Sequence, residues 1–560
     1  TLQQMNDNVQ KSIPPKASPA DTHDAIRLGV WSFYFLVKLA AYWTGALDFH
    51  PLANLAFAAF LLMPVASRTG RWLRMAIALP AAVALLYYDS WLPPPNLLWP
   101  QLVMLFHFSF AYMFELARRV VSLSQVVALV LAWAAFRIIS RYLRVGVVVV
   151  VLLIAVSLRQ YIAVAPAPVA QAVAGNNRAA TVAQPPSAAQ TQHALNAALA
   201  KFYSNESQQR VEFTASPAGT APFDVIFIHV CSLGWDDVRA VGLQNDPLWK
   251  RFDILFTKFN GATTYSGPAA IRVLRGACGQ PSHAALYSPA PQGCYVMHDL
   301  HRAGFRLSFA LNHNGKFGDF IGEVRNDGGV GDTPLMSDAG LPVYEHAFDG
   351  SPVHDDLAVL RRWLKHQNGA QPTALYYNTI SLHDGNHVVG QHASGITNFK
   401  PRLVRLLSDV GRFMDAIKRS GRRAIVVFVP EHGFDYRGDK MQLPGMREIP
   451  SPRISILPVG IAVVGPDVHR SGGQVVVRKP SSYLALMKIV SRMIRTPPFS
   501  SAGYSASTYA HDLPTTQYVA ENSGYVLMRL HGHYYMKLGE KSGWSAYNAK
   551  DGSISTLSLK

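Results

Sequence analysis

Charged residues are scarce in this sequence: Asp, Glu, Lys and Arg make up 16% of 560 residues, against 49% hydrophobic. That is apolar for a soluble protein, and the excess is concentrated before about Pro166. Acid is the scarcer sign, with 35 Asp and Glu against 52 Lys and Arg, so the formal net charge is +17. No block of Lys and Arg interleaved with aromatics accompanies that charge, which argues against nucleic acid as a partner. Several arginines instead flank hydrophobic spans, so membrane topology and anionic substrates account for the balance. Residues 1–24 lack the apolar core and cleavage site of a signal peptide, and internal repeats are absent. Cysteine is rarer still, at three residues, enough for one intrachain disulfide with one thiol left over.

The apolar excess falls into spans Leu28–Leu47, Leu52–Ala66, Trp72–Tyr88, Val121–Phe136 and Val145–Ala163. Each is near the length a helix needs to cross a bilayer, the second being short. A sixth stretch, Leu97–Leu116, is ambiguous, because it follows Pro93-Pro94-Pro95 and contains His107 and Glu115. Charge arbitrates. Arg68, Arg71 and Arg74 follow the second span, and Arg137, Arg141 and Arg144 separate the last two. Asp48 and Asp89 follow the first and third spans with no basic residue beside either. Laid along the outer interface, the sixth stretch leaves both Arg triplets on the side of Lys11, Lys16 and Arg27, but strands Arg118 and Arg119 outside. If it crosses instead, that pair moves inside and the triplets fall on opposite sides. The expectation is therefore a cytoplasmic segment 1–27, then an all-α transmembrane bundle over 28–163. The bundle has five crossings and an interfacial helix near 97–118. An odd number puts the chain after Ala163 outside the cytoplasm. Residues 164–193, rich in Ala, Pro, Gln, Asn and Ser, read as a flexible linker to a soluble domain over 194–560.

In that domain the runs Val225–Val230, Arg306–Leu311, Ala374–Ile380 and Ala424–Val429 are rich in β-branched and aromatic residues, as strands buried on both faces are. Amphipathic stretches such as Leu357–His366 and Leu403–Ser420 lie between them. The pattern predicts an α/β fold with a largely parallel central sheet. Beyond Pro514, Gly524–Leu530 and Tyr534–Leu538 predict a terminal hairpin or small meander.

Ligands in open α/β sheets bind beyond the carboxyl ends of the strands. Those ends carry Cys231-Ser232, His313-Asn314-Gly315, His383-Asp384-Gly385 and Glu431-His432-Gly433. Between the first two, Ser266 stands where a helix N-cap should, with Pro268 just inside the helix start. A helix N-terminus offers unpaired N–H groups and partial positive charge, a seat for phosphate. Cys278 and Cys294, 16 residues apart, bracket a loop and can pair in an oxidising compartment, leaving Cys231 as a soft anionic ligand; Cys231 bridging one of them is the alternative. Thiolate, imidazole, carboxylate and one further oxygen form a tetrahedral zinc set. No Asp-His pair near Ser266 indicates a triad, whereas a zinc-bound hydroxyl loses its proton readily. The residues thus point to phosphoryl transfer through a covalent serine intermediate.

Several stretches carry a closer resemblance: Val230-Cys231-Ser232-Leu233, Thr264-Tyr265-Ser266-Gly267-Pro268-Ala269-Ala270-Ile271-Arg272, Cys278-Gly279-Gln280, Tyr377-Asn378-Thr379, Leu382-His383-Asp384-Gly385-Asn386-His387 and Pro430-Glu431-His432-Gly433. Together they resemble the cellulose phosphoethanolamine transferases of bacterial cellulose secretion, a branch of the alkaline phosphatase superfamily. The resemblance implies an inner-membrane enzyme with a periplasmic catalytic domain, associated with the cellulose synthase complex. It would move phosphoethanolamine from phosphatidylethanolamine to O6 hydroxyls of cellulose. It also implies Ser266 as nucleophile, Cys231, Glu431 and His432 as zinc ligands beside it, and Tyr265, His383 and Arg447 as the lining of the phosphate pocket. Cys278 and Cys294 match a structural disulfide. His383 is the candidate for proton transfer; His313 and His387 are further candidates for substrate contacts, with a structural role as the alternative for His387. Lipid A relatives often carry a further His before the final sheet strand; Pro452–Pro458 has none, so a single zinc site is expected.

Overall fold

The computed structural model describes residues 28–44, 47, 49–65, 67–90, 110–120, 123–164, 188–367, 371–391, 395–499, 503–539, 542–555 and 557. Segment 1–27, Asp48, residues 97–109 of the expected interfacial helix and 165–187 of the expected linker lie outside the described residues. The chain divides into two compact units, residues 1–106 with 115–180, and residues 107–114 with 181–560.

In the first unit, helices occupy Trp31–Trp43, Pro51–Leu62, Arg68–Tyr88, Leu123–Ile139 and Val145–Val164, one in each predicted span. Among the described residues only Arg68–Tyr88 is both long and apolar enough to cross a membrane; Pro51–Leu62, Ser124–Ile139 and Val145–Arg159 are apolar but shorter. Pro51 starts the second helix, and Met63 turns extended (ψ 128°) because Pro64 follows it, which ends that helix early. Asp89 does have a basic partner, from another helix. Lys38 Nζ lies 2.5 Å from Asp89 Oδ2 and 2.8 Å from Asn54 Oδ1, and Asn54 Nδ2 donates to Asp89 Oδ2 at 2.7 Å. All three side chains are buried, and a buried charge pair is tolerable only when bonded in this way.

The second unit is built on a seven-stranded sheet. Its strands are β1 (Asp224–Val230), β2 (Ile254–Asn260), β3 (Arg306–Leu311), β4 (Thr373–Thr379), β5 (Ala424–Pro430), β6 (Ile456–Val464) and β7 (Val475–Val477). Their spatial order is β7-β2-β6-β5-β1-β4-β3. Every pairing is parallel except those of β6, which runs antiparallel to both β2 and β5. The four predicted strands are present. Two of the three missed have local reasons: β2 carries exposed Lys258, and β6 contains Pro458 and Gly460, residues that argue against a central strand. A register shift between Phe256 and Phe259 of β2 lies beside Pro458. Gly460 is required because a β-carbon there would lie 2.5 Å from the ring of Phe252.

Alternation along β1 divides the core. Val225 and Phe227 face one layer with helices α1 (Ser266–Leu274) and α4 (Tyr483–Arg495). Ile226 and Ile228 face the other, with α2 (Asp356–Lys365) and α3 (Phe399–Arg419). The C-terminal region is larger than a hairpin: five antiparallel strands, Val519–Asn522, Tyr525–Leu530, His533–Leu538, Trp544–Tyr547 and Ile554–Ser555. Leu195 and Phe202 of helix Ala188–Ser207 pack on it beside Val519, Met528 and Trp544, so ordered structure begins inside the stretch read as linker.

Candidate active site

β1 and β5 are neighbours, with Val230 opposite Pro430, so the residues leaving their carboxyl ends emerge side by side. Those residues are Cys231, Glu431 and His432. One donor atom from each lies within 4.8 Å of the others, and all three side chains are buried. Ser266 joins them: its Oγ lies 3.5 Å from Cys231 Sγ, which lies 3.8 Å from His432 Nε2. Ser232 and Ala262, which flank these approaches, take positive φ (63° and 59°), backbone strain held by the surrounding structure.

The donor set fits a zinc ion. His432 Nδ1 bonds the Gly433 carbonyl at 2.9 Å, which puts the proton on Nδ1 and leaves the Nε2 lone pair facing the cluster. Glu431 Oε1 accepts from Asn378 Nδ2 at 2.5 Å, while Glu431 Oε2, 3.6 Å from His432 Nε2, is a buried oxygen without a hydrogen-bond partner. Burial pushes the Cys231 thiol up to about 12, with Glu431 adding to it; burial also raises Glu431 and lowers His432. Burial thus disfavours the thiolate and the carboxylate, the forms a bound dication would stabilise, and favours the neutral imidazole, the form that ligates a metal.

The serine is not the helix cap. α1 starts at Ser266 itself, with Tyr265 in the N-cap position and no side-chain capping bond. The Ser266 hydroxyl is therefore spared from capping and turned towards Cys231. Tyr265 donates its hydroxyl to Glu448 Oε2 at 2.7 Å. Arg447, buried rather than a loop arginine in solvent, donates from Nη1 to Ser232 Oγ at 2.5 Å, and its Nη2 lies 3.4 Å from His383 Nε2. His383 Nδ1 bonds the Asp384 carbonyl at 2.7 Å, so Nε2 is its free base; burial and then Arg447 lower it to about 3.

Comparison with known proteins gives the family. Residues 31–158 match the family model "Cellulose biosynthesis protein BcsG N-terminal domain", and residues 178–544 match its C-terminal domain counterpart. The cellulose biosynthesis protein BcsG of Escherichia coli K12 is 40% identical over 540 residues, covering 91% of this chain and 95% of that protein. BcsG of Salmonella typhimurium LT2 is 39% identical over 538 residues, with the same coverage. The chain belongs to the BcsG family. Among solved structures, a protein in the alkaline phosphatase superfamily from Vibrio parahaemolyticus is similar, with TM-score 0.45 and 14% identity, covering 65% of this chain and 91% of that one.

His313 accepts at Nδ1 from Gly315 N (3.1 Å) and donates from Nε2 to Asn378 Oδ1 (2.9 Å), so both ring nitrogens are committed within the protein. It supports Glu431 through Asn378. His387 lies in strand His387–Val388, opposite His346 in a separate three-stranded sheet. Cys278 and Cys294 form the disulfide and Cys231 is the free cysteine. Asn378, Ser232, Glu448 and Glu323 had no role assigned from the sequence. Asn378, next to last in β4, carried a usable signal: a polar side chain in an apolar strand.

Proposed function

We propose that this chain transfers phosphoethanolamine from phosphatidylethanolamine to O6 hydroxyls of cellulose, through an intermediate on Ser266. One observation carries the reading: a hydroxyl on the first turn of a helix lies 3.5 Å from the thiol of a buried Cys231–Glu431–His432 cluster. The name of the relatives, cellulose biosynthesis protein, supports cellulose as acceptor and subunits of the cellulose synthase complex as partners. Cys231, Glu431 and His432, with Ser266 as a further oxygen, would hold one zinc ion. When bound, that ion supplies Lewis-acid charge that eases deprotonation of a serine hydroxyl and offsets phosphoryl charge.

In the first step a bond forms between Ser266 Oγ and phosphorus, while the bond from phosphorus to the glyceride oxygen breaks and diacylglycerol departs. In the second, a glucose O6 displaces Ser266 Oγ from phosphorus. The serine proton ends on diacylglycerol and the sugar proton returns to serine, so no net proton is consumed. His383, neutral with Nε2 unprotonated, is the group that takes and returns these protons. Arg447 supplies a permanent planar cation for a phosphoryl oxygen, and the N–H groups of the first turn of α1 supply further donors.

The reading includes an inner-membrane anchor with five crossings and a periplasmic catalytic unit. Arg68–Tyr88, a helix long and apolar enough to cross a bilayer, supports the anchor, and a disulfide, which persists in oxidising compartments, supports the periplasmic placement. The test is the full chain in bilayer nanodiscs of phosphatidylethanolamine or phosphatidylglycerol, with zinc content and Ser266 modification read by mass spectrometry. One zinc per chain and a phosphoethanolamine adduct on Ser266 are expected. Equal adduct from the glycerol lipid would make it a phosphoglycerol transferase. Absence of both zinc and adduct would make it a scaffold of the synthase complex.

A further inference from the structure

Ser266 and Gly267 are the residues of α1 left partly exposed; from Pro268 onward the helix is buried. The carboxylate of Glu323 lies against Gly267. A β-carbon placed there would sit 1.7 Å from Glu323 Oε2 and 2.6 Å from its carboxyl carbon, so only glycine permits the approach. Glu323 opens the one-turn helix Glu323–Asp327, whose other acid, Asp327, lies 3.8 Å from Arg275. No ion pair or hydrogen bond is made by the Glu323 side chain among the described residues. The other acid beside Ser266, Glu448, accepts the Tyr265 hydroxyl. Two carboxylates therefore flank the nucleophile, one engaged and one without a partner.

An uncompensated carboxylate beside the N–H groups that receive a phosphoryl group repels that group. The arrangement becomes favourable when the substrate brings its own cation. Phosphoethanolamine does so, because its ammonium group is four bonds from phosphorus. Crowding by Asp327 and Asp319 adds to the demand for positive charge, and half-exposed Tyr287, whose hydroxyl lies in the field of Glu323 and Asp327, offers an aromatic face nearby. We propose that Glu323 recognises the ammonium group of the donor and selects it over lipids with neutral head groups. This rests on Ser266 being the phosphoethanolamine acceptor.

The competing role is structural, a carboxylate stabilising the N-terminus of α1. The test uses the zinc-loaded full chain in nanodiscs containing equal phosphatidylethanolamine and phosphatidylglycerol, with the two Ser266 adducts counted over time. Wild type, Glu323→Gln, Glu323→Asp and Glu448→Gln are compared. Loss of a charge-assisted hydrogen bond predicts that Glu323→Gln slows formation of the ethanolamine adduct about 10- to 100-fold, through a raised KM. The glycerol adduct should hold or rise, Glu323→Asp should retain part of the preference, and Glu448→Gln should retain most of it. An unchanged ratio of adducts, or both falling together, overturns the inference, as does loss of preference in Glu448→Gln alone. If Glu323→Gln fails to hold zinc, the ratio in Glu323→Asp decides by the same criterion. Wild type forming no ethanolamine adduct would instead overturn the role of Ser266, and this inference with it.

Discussion

Asn378 donates from Nδ2 to Glu431 Oε1 at 2.5 Å, and the amide is held in that orientation because its Oδ1 accepts from His313 Nε2. His313 is fixed in turn by the Gly315 N–H at its Nδ1. A relay of three side chains thus dictates which carboxylate oxygen of Glu431 faces Cys231 and His432. Oxygens oriented from behind make better metal ligands than oxygens free to rotate.

Removing the middle of that relay should loosen the metal without removing a ligand. Asn378→Ala is expected to lower zinc affinity about 10- to 100-fold, the usual cost of losing such a supporting bond. Competition against a fluorescent chelator measures it; wild-type affinity would show that Glu431 needs no such support.

Ser266→Ala should abolish the covalent adduct and cost little stability. The hydroxyl makes no capping bond, so the loss should stay within about 0.5 kcal/mol, as for substitutions away from caps and cores. Thermal melting of the full chain, alongside mass spectrometry, checks both halves. An adduct of normal yield would remove Ser266 from the chemistry.

Asp435 predicts a pH dependence. Both its carboxyl oxygens are buried without hydrogen-bond partners, and burial, followed by repulsion from Asp237 and Asp439, raises it to about 8. The native state therefore keeps its proton up to about pH 8, while the unfolded chain loses it near 3.8. Between these values the native state binds more protons, so this group's contribution to stability falls as pH rises. Asp435→Asn, which cannot ionise, should gain on wild type steadily from pH 4 to pH 8 and hold a constant margin above. Melting temperatures across that range decide; a margin that shrinks with pH would refute the assignment.

The disulfide closes a short loop just after α1. Replacing Cys278 and Cys294 together by Ala should cost about 2–4 kcal/mol, mainly through a less restricted unfolded state. Zinc stoichiometry should be unchanged, because neither residue is a ligand. A lower melting temperature with one zinc per chain is the expected pair of results.

Much of this was legible in one dimension. Strands buried on both faces announce themselves as apolar runs, and a parallel α/β sheet delivers its functional side chains at strand ends, so Cys231, His383, Glu431 and His432 could be named from pattern alone. β6 could not, because Pro458 and Gly460 mask it locally and only its neighbours β2 and β5 make it a strand. The N-cap assignment of Ser266 failed by one residue, a small shift that frees the hydroxyl. Lys38 was hidden in an apolar span because its partner Asp89 lies two helices away.

By itself, then, the amino-acid order determined which donors this protein owns, that its apolar excess lies before about Pro166, and that a hydroxyl stands at a helix start. Only the tertiary structure decided that the thiol lies beside that hydroxyl, that Asn378 orients Glu431, and that Glu323 comes to rest on Gly267. The physical reason is that periodicity records which face of an element is buried. It does not record which distant element covers that face, and these pairings follow from strand order and close packing across the whole sheet.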